Sequence, residues 1–294
     1  MKKIKKNSDA LFIAGMLFLP TLSLLVFYLY VNIDSLLLAF QVPTGDTFKW
    51  GFDNFATMFK DFSFNGGVLG IAIKNTALYF FTGLLVTLPL SFFLSYFLYK
   101  KVLGYRIFRV IFYLPCIISA SVLVALFKYF IQFKGPVDAL SVLLGKGHLP
   151  PFFFRPDLAT HVINFYCVFY GLGGNLVLFS GAMSNIDKSI IEAGNIDGMG
   201  MKDEIFNMVI PIIWPTLSTV IIFQFINIFS ASGPILLFTS GSADTWTISY
   251  WIYHKVAFGA TLNYPSAVGL FFSVLGIPIV LVMRWLINKC FVTE

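Results

Sequence analysis

Six stretches of the chain are apolar and free of charge, with short polar segments between them. They run over Ala10–Ile33, Asn75–Tyr99 and Val110–Phe127, then within Leu158–Ile186, from near Ile205 beyond Phe229, and over Val256–Met283. The third is the shortest, but Phe130 and Ile131 extend it past Lys128. Roughly 20 apolar residues in a helix cross about 30 Å of hydrocarbon, so the pattern predicts an all-α integral membrane protein with six transmembrane helices. Residues 1–9 read as an N-terminal tail and 10–294 as a single six-helix domain. The opening Met-Lys-Lys-Ile-Lys-Lys resembles a signal peptide, yet the apolar run behind it is too long and no small-x-small site closes it. It is read as a retained first span.

Composition agrees with this pattern. Hydrophobic residues make up 58% of the 294 and charged residues only 12%, against roughly 25% in soluble domains. One soluble core cannot hide that much apolar surface, and disorder needs the opposite balance. The net charge of +6 is scattered along the chain, which argues against a nucleic-acid partner. Cys116, Cys167 and Cys290 lie far apart among apolar neighbours, and His148, His161 and His254 are separated. The spacing predicts packing cysteines and no metal site.

Lys and Arg near span ends mark the cytoplasmic side. With the N-terminus inside, that side holds twelve of the 20 basic residues, including the Lys2–Lys6 cluster and Lys100, Lys101, Arg106 and Arg109. Both termini are therefore predicted to be cytoplasmic. The external segments are then Gln41–Ile73, Gln132–Thr160 and roughly Ser230–Lys255. In the first, Trp50, Phe52, Phe55, Phe59, Phe62 and Phe64 are spaced like a short amphipathic helix whose rings anchor the loop at the membrane interface. In the second, Gly145 to Pro151 read as a turn-rich link.

The cytoplasmic segment between the fourth and fifth spans, Ser184 to Glu204, is longer than a connector needs. Asp187 is placed to cap a short helix containing Ile190, Ile191 and Glu192. Gly194, Gly198 and Gly200 then break or turn it, and a second helix starts near Lys202 and leads through Phe206 into Pro211. The expected product is two short helices folded back on each other at about 184–206, suited to docking a partner.

Glu192-Ala193-Gly194, three residues, Gly198, nine residues, then Met208-Val209-Ile210-Pro211 resemble the EAA loop of binding-protein-dependent ABC importers. The departures are Gly194 for the third Ala, Met208 for Ile and Ile210 for Leu. Further along the chain, Phe18-Leu19-Pro20, Phe52-Asp53-Asn54-Phe55, Lys74-Asn75-Thr76, Arg109 with Leu114-Pro115 and Ser119, Gly173 to Gly181, and Tyr250, Tyr253 and Phe258 resemble elements of the carbohydrate permeases of the maltose-transporter type. Leu237 to Ser242 departs from that group's L-T-x-G-G-P. The resemblance implies a transmembrane permease subunit in a prokaryotic cell membrane, with no enzymatic site and no cofactor of its own. It implies a second related permease, two ATPase subunits that bind ATP and Mg, and an external sugar-binding protein. Glu192, Ala193, Gly194, Asp197, Gly198 and Phe206 would form the ATPase-coupling element, with Gly198 at its turn. No G-x-x-x-x-G-K-[ST] occurs in the chain.

Polar side chains in spans face a pathway or a neighbouring helix. Asn164, Tyr166, Tyr170 and Asn175 in the fourth span, and Gln224 and Asn227 in the fifth, suit a sugar, which needs hydroxyl partners and flat apolar faces. The alternative reading of each is helix–helix glue. Gly171, Gly173 and Gly174 suggest close helix packing, and Pro89, Pro115, Pro211 and Pro215 bend or start helices. Competing functions are an importer for another small solute, a polytopic membrane enzyme and a secondary transporter. The last two lack convergent acid–base groups and intramembrane titratable residues.

Overall fold

The computed structural model describes residues 2–45, 47–63, 67–230 and 233–290. Phe64, placed by its spacing among the interface aromatics, lies outside them. Among the described residues, five unbroken helices are long and apolar enough to cross a membrane: α1, apolar over Phe12–Phe40; α3, Val68–Tyr99; α7, Pro156–Ser184; α9, Met201–Ile226; and α12, Asn263–Lys289. The third apolar stretch is broken. It forms Tyr105–Ile117 (α4) and Ala120–Leu143, bent by 113°, the latter comprising α5 (Ala120–Ile131) and α6 (Pro136–Leu143). Pro115 lacks the N–H for the preceding turn, and Ile118 and Ser119 are extended (ψ 141° and 142°). Counting that pair as one span gives six.

By packing, the chain divides into two units, Met1–Ser63 with His254–Phe272, and Phe64–Tyr253 with Ser273–Glu294. In the first, α1 is exposed from Phe12 to Leu37 and leads into a hairpin of β1 (Gln41–Thr44) and β2 (Thr47–Trp50). Helix α2 (Asp53–Ser63) follows. The last carbonyls of a helix have no partner within it. Here Asn54 Nδ2 donates to the Ala39 and Gln41 oxygens (3.0 and 2.9 Å), and Asn263 Nδ2 to Leu38 O (3.2 Å). Phe55 packs on Phe40 and Phe59 on Phe271 (centroids 5.4 and 5.5 Å). Phe55 is half-buried and Phe59 exposed, so these rings pack on one another at the surface of this unit.

In the second unit, α3, α7 and α9 meet along Leu88, Phe92, Tyr96, Phe179, Met183, Ile205, Val209 and Ile213, all buried. Asn75 and Thr76 lie inside α3 and not at its start. Asn75 Nδ2 donates to Asp244 O and Trp246 O (2.7 and 2.9 Å), and Thr76 Oγ1 accepts the Ile248 N–H (3.0 Å), which fixes the link from α10 (Ile235–Phe238) to α11 (Ile248–Phe258).

Two boundaries differ from the charge-free stretches. The stretch from Val256 begins in α11, which Gly259 N–H closes on Lys255 O (2.9 Å), and the span proper starts at Asn263. The fifth span stops at Ile226, where Asn227 donates from both its backbone N–H and Nδ2 to Phe223 O (3.1 and 2.8 Å). Hydropathy does not register either hydrogen bond.

Candidate functional site

Between α7 and α9 the chain forms a hook. Asp187 Oδ1 accepts the Ser189 N–H (3.0 Å), capping α8 (Lys188–Ile196). That N–H and the Ser189 hydroxyl hold the Asp187 carboxyl below the usual carboxylate range. At the other end, Gly198 takes φ +73° and Met199 N–H reaches Gly194 O (2.9 Å), a left-handed helix closure that favours glycine. Helix α9 begins at Met201 and does not stop at Pro211. A wider π-type turn over Glu204–Val209 precedes that proline, whose missing N–H is thereby absorbed. The second arm of the expected helix pair is thus the first turns of the fifth span, not a separate short helix.

Glu192, Ala193, Asp197, Gly198 and Phe206 are exposed, while Gly194 is buried. A Cβ on Gly194 would lie 2.8 Å from Met208 Cε and 3.3 Å from Met199 Cε. Two departures from the EAA pattern, Gly194 and Met208, are therefore neighbours. The small residue admits the long flexible one. Ile191 packs on the α3–α7–α9 core, which ties α8 to the spans.

Sequence reasoning missed an ion pair at the base of the hook. Lys100 Nζ, one residue past α3, lies 2.8 Å from Glu204 Oε1 in the first turn of α9, whose side chain is 8% exposed. Lys100 was informative only for orientation, and Glu204 only as the polar edge of an apolar run.

The six candidate pathway residues separate into groups. Asn164, buried, donates from Nδ2 to Thr82 Oγ1 (2.8 Å), and Gln224 Oε1 would lie 3.2 Å from a Cβ on Gly83. Helices α7 and α9 thus present amides to adjacent residues of α3. Asn175 is half-buried and Asn227 exposed. Tyr166 and Tyr170 stack (6.1 Å, 9°) and share a cavity of about 140 Å³ with Pro115, Leu123, Phe127 and Phe169. The cavity sits at the break between α4 and α5. The Tyr166 hydroxyl is buried without a hydrogen-bond partner among the described residues.

Glycine sets the spacing around it. A Cβ on Gly173 would collide with Cys116 Sγ and lie 2.8 Å from Phe112 O, and one on Gly171 would lie 3.1 Å from Thr87 Cγ2; Gly174 has nothing within 4 Å.

Fold and site together define a polytopic helical membrane protein with a helical hook fixed to the base of a span. Residues 88–290 match the family described as binding-protein-dependent transport system inner membrane component, and the chain belongs to it. It is a multi-pass inner-membrane component of a transport system and not itself an enzyme. The lactose transport system permease protein LacF of Rhizobium radiobacter is 27% identical over 266 residues, covering 85% of this chain and 88% of that one. The sn-glycerol-3-phosphate transport system permease protein UgpA of Salmonella typhimurium (strain LT2) is 26% identical over 221 residues, covering 74% and 72%. A chain of the bacterial alginate ABC transporter, in complex with its alginate pentasaccharide-bound periplasmic protein, shares the fold at a TM-score of 0.82 and 23% identity, covering 97% of each chain.

Proposed function

We propose that this chain is the transmembrane permease subunit of an ATP-driven importer that carries a sugar or oligosaccharide from an external binding protein into the cytoplasm. Residues 10–294 act as one permease domain, with both termini and the hook in the cytoplasm. A second related permease completes the pathway, and two ATPase subunits binding ATP and Mg dock on Glu192, Ala193, Asp197, Gly198 and Phe206, with the buried Gly194 seating that coupling element on α9. The observation that carries this reading is the hook: capped at Asp187, turned at Gly198, and fastened by Gly194 and Ile191 to the spans it would move. The lactose and alginate relatives support a sugar, as does the aromatic cavity of Tyr166 and Tyr170, with Asn175 and Gln224 supplying amides along α7 and α9; the Nδ2 groups of Asn164 and Asn227 are given to Thr82 Oγ1 and Phe223 O. The glycerol-phosphate relative favours a second reading, another small solute, which competition of solutes for transport separates from the first.

The test is purification of the tagged chain from its host in mild detergent, with mass spectrometry of what accompanies it. An ATPase and a second permease are expected, and are expected to be lost in Glu192→Lys and depleted in Gly198→Ala. Any L-residue at the left-handed Gly198 costs about 1–2 kcal/mol, so alanine suffices and bulk is not needed: the space around it is open. A chain that purifies alone, or whose partners ignore both substitutions, overturns the reading.

A further inference from the structure

We propose that the Lys100–Glu204 ion pair is a positioning link that carries the movement of the hook to the wall of the Tyr166–Tyr170 cavity; this rests on the coupling role assigned to α8 above. Burying a carboxylate is costly unless it is paired. Glu204 Oε1 is held by the Lys100 ammonium at 2.8 Å. The neutral Tyr96 hydroxyl faces the same carboxylate, so a cation and a neutral donor flank it.

The placement is favourable at both ends. Lys100 is the C-cap of α3, where a helix carries partial negative charge, and Glu204 stands in the first turn of α9, where it carries partial positive charge. The pair therefore joins two helix ends whose dipoles each favour the residue present. Glu204 shares the Glu204–Val209 turn with Met208, against which Gly194 of α8 is seated, so movement of α8 reaches it.

Lys100 leads directly into the next wall of the protein. Lys101 (φ +53°) and Gly104 (φ +80°) close a tight hairpin, and α4 starts at Tyr105. That helix is about 20 Å long, is seated on α7 through Gly173, and ends beside Pro115, which lines the cavity. The contacts run unbroken from hook to ion pair, hairpin, α4 and cavity. Apolar packing alone would let α9 rotate against the end of α3; a charge pair at 2.8 Å fixes one register.

The experiment uses the complete transporter in proteoliposomes, reading ATPase association, ATP hydrolysis and solute taken up per ATP. In Glu204→Gln and Lys100→Met the ATPase should stay bound and hydrolyse ATP, while uptake per ATP falls about tenfold. The exchanged pair Lys100→Glu/Glu204→Lys should recover part of the ratio, incompletely because both charges then oppose the helix dipoles. Unchanged uptake per ATP in Glu204→Gln overturns the inference. So does loss of ATPase association in step with uptake and without recovery in the exchange, which marks a folding contact only. Absence of ATPase from the unaltered chain overturns the coupling reading itself and the inference with it.

Discussion

A methyl group on Gly194 would press on the Cε of Met208 and Met199, both of them ends of flexible side chains. Gly194→Ala alone is expected to cost about 1 kcal/mol, because the methionines must shift inside a contact that holds the hook to α9. Met208→Ile removes Cε and makes the room. In the double variant the two changes should therefore offset each other by about 0.5–1 kcal/mol, read as thermal unfolding of the detergent-solubilised protein. Strictly additive shifts would show that Met208 simply swings away. The sequence displayed both departures from the EAA pattern, but nothing in it said that they touch. Gly198 is the opposite case, since the spacing predicted its turn and its φ of +73° supplies the reason.

At the scale of the helix, neighbouring glycines have different work. Gly173 brings α7 against the Phe112 carbonyl and Cys116 of α4, and a backbone oxygen has no rotamer by which to retreat. Gly173→Ala is expected to cost about 1–3 kcal/mol. Gly174→Ala meets nothing within 4 Å and gains helix propensity, up to about 1 kcal/mol. Melting temperatures of the two variants should move in opposite directions, and equal shifts would remove Gly173 as the spacer between α4 and α7. Close packing was legible as an expectation for the whole Gly171–Gly174 run. Which of these glycines makes the contact was not, because the sequence does not name the partner helix.

For the whole molecule, orientation decides whether the hook can meet an ATPase at all. The basic clusters at Lys2–Lys6 and Lys100–Arg109 predict that both termini and α8 lie on one side of the membrane. Reporters active only in the cytoplasm, fused at either terminus, should both be active, and reporters active only outside should both be silent. A terminus that reads outside would put the hook on the wrong face for coupling.

Local chemistry was enough for much of this protein. Apolar length located the spans, because a helix must satisfy its own backbone in lipid, and glycine spacing located the hook. Where a boundary depends on a hydrogen bond made by a particular residue, as at Asn227 or Gly259, hydropathy had no access to it. The tertiary structure alone decided the bend after Pro115, the union of Tyr166 and Tyr170 with that bend in one cavity, and the pairing of Lys100 with Glu204. Each of these depends on segments remote in sequence being packed together, and burial gives a lone lysine and a lone glutamate a meaning that neither has by itself.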